Sequence, residues 1–427
     1  MIPTFSVLLV FLLVLGAPIF IALSGSVVAA LWVEDSVPLA IVIERMFAGL
    51  DKFSLMAIPF FILTGSLMSV GGLSKRIVHL ANLLVGRLTG GMGMTAVASS
   101  MFFGAISGSS PATVVAVGSL LYPALTKAGY RRPFSIGVII ASGSLGIIIP
   151  PSIVMIVYAA VTGVSVGALF MAGVGAGVLY AACFLPYCYY IAKRDGIEPM
   201  QPPSAQEVWA GFKDAGWGLG VPVVVLGGIY GGVFTPTEAA AVSVVYALAV
   251  SLLVYKEKTP AELFQTMVDS AATTAQVMII LASASVLAWF MTSNGLAVTI
   301  ANAVLSLSEN PIHIFLLINV TVLIVGMFLD AASIMVILAP LFYQVGIRVG
   351  IDPIHLGVIL TVNGAIGMFT PPFGLNLFVA SSLGNVDYMD AVKGSLPFIG
   401  IALVALSILT YIPAISMWLP GLVYGGT

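Results

Sequence analysis

Phe102-Phe103-Gly104-Ala105-Ile106-Ser107-Gly108-Ser109-Ser110-Pro111-Ala112-Thr113, followed downstream by Gly143-Ser144-Leu145-Gly146-Ile147-Ile148-Ile149-Pro150-Pro151-Ser152, decides how this chain folds. Both pieces lie in apolar sequence, yet both are rich in residues that interrupt helices. Glycine and proline leave backbone N–H and C=O groups unpaired, and in hydrocarbon each such group costs several kcal/mol. Backbone of this kind persists at membrane depth only where it is buried in protein or lines a cavity. There the freed carbonyls are able to bind a cation. A second stretch of the same character runs from Gly326 to Gly374.

Outward from these stretches, composition sets the class. The 427 residues are 60% hydrophobic and only 7% charged, with a mean hydropathy of +1.15. A soluble chain carries roughly a quarter charged residues, so this is a polytopic membrane protein whose surroundings are the lipid bilayer. The net charge of -2 averages over two membrane faces. Nothing basic or aromatic is arranged for nucleic acid. Cys183 and Cys188 share one apolar run and suit helix packing better than a disulfide framework or a metal site. The first apolar run starts at Ile2 without a basic n-region or cleavage site, which predicts a retained helix rather than a signal peptide.

In chain order, residues 3–33 hold one long or broken spanning run, Ser36–Lys52 an amphipathic connector, and 53–72 a second span. Gly71–Gly90 is charged and amphipathic. Two apolar runs, 91–106 and 111–126, are each shorter than the roughly 20 residues of a spanning helix, which predicts a re-entrant hairpin tipped by Ser107-Gly-Ser-Ser110. Residues 134–163 cross with a break at Pro150-Pro151, and 166–192 return, followed by polar sequence to about Gly220. A bent pair, 221–234 and 237–255, precedes an amphipathic Lys256–Ser270, a span at 271–291 and a mildly amphipathic Gly295–Ser308. Residues 312–328 and 333–347 predict a second hairpin around Leu329-Asp330-Ala331-Ala332. Residues 354–386 cross with a break at Pro371-Pro372, and 395–418 span last. The regions are thus 1–90 (scaffold and connector), 91–165 (first hairpin and broken helix), 166–308 (scaffold and arm helices), 309–386 (second hairpin and broken helix) and 387–427 (C-terminal scaffold).

The two halves repeat. Arg132-Pro133-Phe-Ser-Ile-Gly137-Val-Ile aligns on Asp352-Pro353-Ile-His-Leu-Gly357-Val-Ile, and with one residue inserted Gly146-Ile-Ile-Ile-Pro-Pro151 falls on Gly367-Met-Phe-Thr-Pro-Pro372. One topology puts all but three of the 15 Lys and Arg residues on the cytoplasmic side, leaving Arg45, Lys52 and Arg348 outside. In it the first broken helix starts at the cytoplasmic face and the second at the outer face, so the repeat is inverted. Inverted repeats with broken helices are an architecture of secondary transporters, with the site near the midplane. The predicted fold is an all-α polytopic membrane protein with two re-entrant hairpins and two broken helices.

Ser107-Gly-Ser-Ser-Pro-Ala-Thr, Gly146-Ile-Ile-Ile-Pro-Pro-Ser, Gly326-Met-Phe-Leu-Asp330 and Thr370-Pro-Pro-Phe-Gly-Leu-Asn376 resemble the large membrane subunit of TRAP (tripartite ATP-independent periplasmic) transporters, over nearly the whole chain. The resemblance implies an elevator-type mechanism, in which a domain of hairpins and broken helices slides against a scaffold. It implies sodium as coupling ion, with no other cofactor, and residence in the bacterial inner membrane. It also implies a small four-helix membrane partner, not fused at the start of this sequence, and a periplasmic substrate-binding protein that delivers an organic acid. C4-dicarboxylates are the best-known cargo of that family, with sialic acid and other sugar or keto acids as alternatives.

Residue chemistry points the same way. Sodium is a hard cation, and carbonyls at a helix break supply oxygen ligands without adding charge. Ser107, Ser109, Gly146, Ile149 and Pro151 are placed to form one such cage, and Gly326, Gly367, Thr370 and Phe373 its counterpart; by resemblance these are the family's sodium positions. The helix ends facing the breaks present free N–H groups suited to a carboxylate, with Ser110, Thr113, Asn363 and Asn376 adding hydrogen bonds. Asp330 lies deep in apolar sequence, where an acid costs at least ~2.5–3.5 kcal/mol, so a role in cargo contact or in tuning the sodium site outweighs the alternative of a helix cap.

Other polar residues read as structural. Thr235-Pro236-Thr237-Glu238 is a capping box, the three histidines are polar anchors, the five tryptophans fit an interfacial belt, and Gly173–Gly177 marks close helix packing. With no His-Glu-x-x-His, no Ser/His pair within a span and no acidic metal cluster, the sequence does not read as an enzyme. The competing transporter reading is a stand-alone sodium/divalent-anion symporter of related architecture, which needs no binding protein.

Overall fold

The computed structural model describes residues 2–34, 37–69, 72–256, 259–308, 310–383 and 386–425. Ser36, Gly71, Lys258 and residue 309, used above as segment limits or in the charge pattern, lie outside them. All regular structure among the described residues is helical. Among these residues six helices are long and apolar enough to cross a bilayer, or up to eight when each bent pair is taken as one span.

The first run is broken, as Ile2–Val14 and Ile19–Glu34, where Gly16 takes a positive φ and Pro18 follows. Ala40–Leu50 then meets Phe53–Ser69 at a bend of 67°. Both hairpins form. Gly91–Ser107 and Ser110–Lys127 make the first, and Pro311–Gly326 and Ala331–Arg348 the second. The broken helices are Arg132–Gly143, continued by a single 3₁₀ turn, then Ile153–Thr162; and Pro353–Gly367 then Leu375–Ser381. In both breaks the Pro–Pro peptide is cis.

These broken helices form the centre of the molecule. Ile136, Val138, Ile139, Ile140 and Ala141 are fully buried, as are Val358, Ile359 and Val362. The two repeats lock together where Tyr158, beyond the first break, donates a 2.7 Å hydrogen bond to the Pro353 carbonyl at the start of the second broken helix. A β-carbon at Gly357 would press on the Tyr158 ring, so glycine is what admits that contact. Gly173 and Gly177 do mark close packing: a β-carbon at Gly173 would lie 2.9 Å from the Ile148 carbonyl oxygen, and one at Gly177 would collide with Ile149.

Three segment limits differ from the sequence reading. The polar stretch before Gly220 is helical from Ala205, because Ser204 and Glu207 form a capping box and the charged first turns continue into Ala205–Tyr230 without interruption. Lys256–Ser270 and 271–291 are joined in one helix, Pro260–Ser293, started by the Thr259–Glu262 box; its 34 residues extend about 51 Å, well past a hydrocarbon core of about 30 Å. The last span divides at Ile412-Pro413 into Tyr388–Tyr411 and Ala414–Tyr424, proline lacking the N–H that would continue the ladder. The Thr235–Glu238 capping box forms as read.

His355 is no interfacial anchor. It is buried, with Nδ1 2.8 Å from Ser416 Oγ and Nε2 3.2 Å from the Thr410 carbonyl, so it fastens the second broken helix to the C-terminal pair. At the basic end of the molecule Asp195 sits 2.8 Å from Arg194 and 3.2 Å from Arg131, tying the loop after the first hairpin to the end of Val166–Arg194. The hydrogen bond from Arg194, with the charge of Arg131, holds the Asp195 carboxyl below its ordinary range.

Candidate functional site

At the first tip, Gly108 adopts φ +60 and lets the chain reverse within two residues. Ser107 Oγ lies 3.1 Å from Thr113 Oγ1, and Thr113 Oγ1 donates to the Ser109 carbonyl at 2.7 Å. This knot of hydroxyls rests on the first break. A β-carbon at Gly146 would sit 2.5 Å from the Ser109 carbonyl oxygen and collide with Thr113 Oγ1. A β-carbon at Gly108 would lie 2.8 Å from the Pro151 carbonyl oxygen. Ser107, Ser109, Thr113, Gly146 and Pro151 are therefore one cluster. Within the break, Ser152 Oγ donates to the Ile147 carbonyl at 2.6 Å and accepts from Met155 N–H, restoring partners that the break removes. The Ile149 side chain turns away, towards Gly177.

The second tip repeats this contact in another form. Gly326 and Gly367 meet backbone to backbone: a β-carbon on Gly367 would stand 2.6 Å from the Gly326 Cα and 2.8 Å from its carbonyl oxygen. The chain then folds back on the hairpin, with Gly374 N–H donating to the Met327 carbonyl at 3.0 Å and Asn376 N–H to the Met368 carbonyl at 2.8 Å. Thr370 Oγ1 donates to the Ile366 carbonyl at 2.7 Å. Phe373 is more than half exposed, its ring 5.5 Å from that of Phe328.

The remaining residues divide. Asn376 Nδ2 donates to Ser110 Oγ at 2.7 Å in a buried contact, so the second break reaches the first tip directly. The Asn376 Oδ1 atom is buried without a hydrogen-bond partner among the described residues. Asn363 faces elsewhere: its Nδ2 donates to the Asn319 carbonyl at 2.9 Å and to Asn319 Oδ1 at 3.1 Å, while Asn319 donates to Thr410 Oγ1. Asp330 caps Ala331–Arg348, accepting from Ala332 N–H at 3.0 Å, from Ser333 N–H at 3.2 Å and from the Ser333 hydroxyl. The carboxylate is thus engaged by the first turn of its own helix.

Sequence reasoning missed several participants. A β-carbon at Gly104 would lie 3.0 Å from Gly146 Cα, the first-repeat equivalent of Gly326 on Gly367; its place just before the tip was the available signal. Gly65, on Ala57–Ser69, comes as close to the tip from outside, since its β-carbon would lie 3.0 Å from the Ser107 carbonyl oxygen. Asn319, the one amide in the apolar run 314–328, was a visible candidate. Lys52 Nζ donates to the Ala160 carbonyl at 2.7 Å, joining the connector to the end of the first broken helix.

The oxygens gathered at the two breaks are carbonyls and hydroxyls, and the described residues contain no group of three or more His, Cys, Asp or Glu side chains able to hold a metal. Such neutral oxygens fit a hard monovalent cation and not a transition metal.

Paired hairpins and broken helices meeting at polar breaks, in a chain of membrane-spanning helices, define a membrane protein of the broken-helix transporter class. Residues 6–415 match the family model described as tripartite ATP-independent periplasmic transporter, DctM component. The chain belongs to that family. It is 41% identical to the C4-dicarboxylate TRAP transporter large permease protein DctM of Vibrio cholerae, over 98% of this chain and 97% of that one. It is also 41% identical, over 96% of its length, to the isethionate TRAP transporter permease protein DctMQ of Oleidesulfovibrio alaskensis, of which it spans 65%. Among solved structures its fold is similar to that of the Alcanivorax borkumensis YdaH transporter, with a TM-score of 0.63 at 17% identity, covering 90% of this chain and 89% of that one. At that identity the likeness speaks to fold alone.

Proposed function

We propose that this chain is the large permease subunit of a sodium-coupled importer of a small organic acid in the bacterial inner membrane. A periplasmic binding protein delivers the cargo, and a small four-helix membrane subunit completes the complex. The observation that carries the reading is the paired glycine contact, Gly104 on Gly146 and Gly326 on Gly367, which sets a tip of neutral oxygens against each helix break. Sodium would be held by Ser107, Ser109, Gly146, Ile149 and Pro151 on one side and by Gly326, Gly367, Thr370 and Phe373 on the other, and would supply positive charge where a cargo carboxylate needs it. Ser110, Thr113 and Asn376 then orient the cargo. Asn363 acts through Asn319, and Asp330 sets the second tip. The relatives are permeases for a C4-dicarboxylate and for isethionate, both small organic anions, which supports the cargo class.

The movement we assign is of the elevator type, with the hairpins and broken helices sliding as one body against the scaffold. One feature supports it: the Asn376–Ser110 bond unites the two repeats in a single body.

The test is uptake of labelled succinate, isethionate and sialic acid into liposomes holding this chain and its small partner, under an inward sodium gradient. The cognate binding protein is added or left out. Uptake that needs both sodium and the binding protein is the expected result. Sodium-driven uptake without the binding protein would favour the stand-alone symporter, and sodium-independent uptake would remove the coupling role from the two cages.

A further inference from the structure

No Lys or Arg lies at the hairpin tips or the breaks, so a cargo anion held there meets no fixed cation. One stands close by, on the scaffold. A cavity of about 660 Å³, within the range of small-molecule sites, separates the first hairpin from the scaffold. One wall is a face of Ser110–Lys127, carrying Pro111, Val115 and Ser119; opposite stand Ser69, Ser74 and Lys75. From Pro111 to Leu120 the wall runs about 14 Å at helical rise, from beside Ser110 towards Lys127 and the basic loops.

The lining hydroxyls are unequal. Ser69 donates to the Ser66 carbonyl, Ser119 to Ala116 and Ser382 to Val379. Among the described residues Ser74 and Lys75 have no hydrogen-bond or ion-pair partner, and no acid lines the cavity. One uncompensated positive charge in a space with low-dielectric walls concentrates anions.

We infer that Lys75, with the Ser74 hydroxyl, forms an anion station in this cavity, where the carboxylate or sulfonate of a small organic anion is held between the hairpin tips and the cytoplasm. The inference rests on the organic-acid reading above. Lysine suits the task, since a compact and strongly hydrated ammonium holds an anion less firmly than a bidentate guanidinium.

The test uses the full-length chain in inside-out vesicles, with Ser119→Cys on a Cys183→Ser, Cys188→Ala background. Its modification by an anionic and by a cationic methanethiosulfonate reagent is timed. Ser119 and Lys75 are both exposed, and Cys188→Ala removes only one buried sulfur atom; an unchanged elution profile checks that the fold is intact. Lys75→Gln is expected to lower the anionic-to-cationic rate ratio about fivefold, the effect of one charge on probes of opposite sign a few ångströms away in water, and Lys75→Arg to preserve it. Succinate or isethionate should slow modification in the Lys75 chain and not in Lys75→Gln. An unchanged ratio, or equal protection in both chains, overturns the inference. A Lys75-dependent ratio with no protection by either anion sustains Lys75 as an anion station and overturns the organic-acid reading instead.

Discussion

At Asp330 the carboxylate accepts three hydrogen bonds from the turn that follows it, so its place in apolar sequence is explained locally before any cargo is invoked. The capping alternative is realised in the fold, and the two roles separate by substitution. Asparagine keeps a good cap without the charge, whereas alanine forfeits about 1 kcal/mol of helix stability. Asp330→Asn is expected to insert and fold as the parent does while losing sodium-driven uptake. Parental uptake by Asp330→Asn would leave the residue with its cap alone. Asn376 and Asn363 make the contrasting case. Both were singled out as amides near breaks, but an amide's partner lies far away in sequence. That one reaches Ser110 and the other Asn319 depends on how the repeats dock, which no local pattern encodes.

Hairpins and broken helices were legible because glycine and proline act locally where they cluster, as at Gly108, Pro150-Pro151 and Pro371-Pro372, whereas single prolines such as Pro123 and Pro340 stay inside continuous helices. Helix starts were read unevenly. The Thr235–Glu238 box was recognised, while the identical arrangements at Ser204–Glu207 and Thr259–Glu262 open helices inside stretches taken as polar or separate. Charge in the early turns of those helices hid a capping signal that was present. The contact between hairpin and broken helix has its own prediction. In Gly367→Ala the new methyl meets Gly326 backbone, which has no flexible end to move aside, so a loss of about 2 kcal/mol follows from overpacking. Thermal unfolding in detergent measures it. An alanine chain as stable as the parent would mean that the two backbones separate freely.

For the whole molecule, membrane insertion and the repeated unit followed from composition and from glycine and proline placement. The docking of the hairpins and broken helices on the neighbouring helices did not, because it depends on contacts between residues distant in sequence. Lys52 is one of them. Its ammonium fixes the end of the first broken helix to the connector, and so favours the arrangement described here. A hydrogen bond to a charged group contributes about 1.5–3 kcal/mol when buried, and the solvent exposure of Lys52 lowers this to the order of 1 kcal/mol. Lys52→Met should therefore shift the population several-fold away from this arrangement. Modification of Val161→Cys, which lines the small space beside Lys52, by a membrane-impermeant thiol reagent added from outside should speed up accordingly. A rate equal to that of the Lys52 chain would show that the contact carries no conformational preference.

The approach of Gly65 to the Ser107 carbonyl has a kinetic meaning. Where one helix must travel past another, every interlocking side chain is a tooth that has to be lifted before the next step. At this crossing the scaffold presents bare backbone, and the tip presents a carbonyl with nothing projecting beyond it. In the elevator movement proposed above, such a bearing surface would lower the ridge between two resting positions without deepening either. In that proposed movement it would set how fast the carrier turns over, independently of how tightly it grips its cargo.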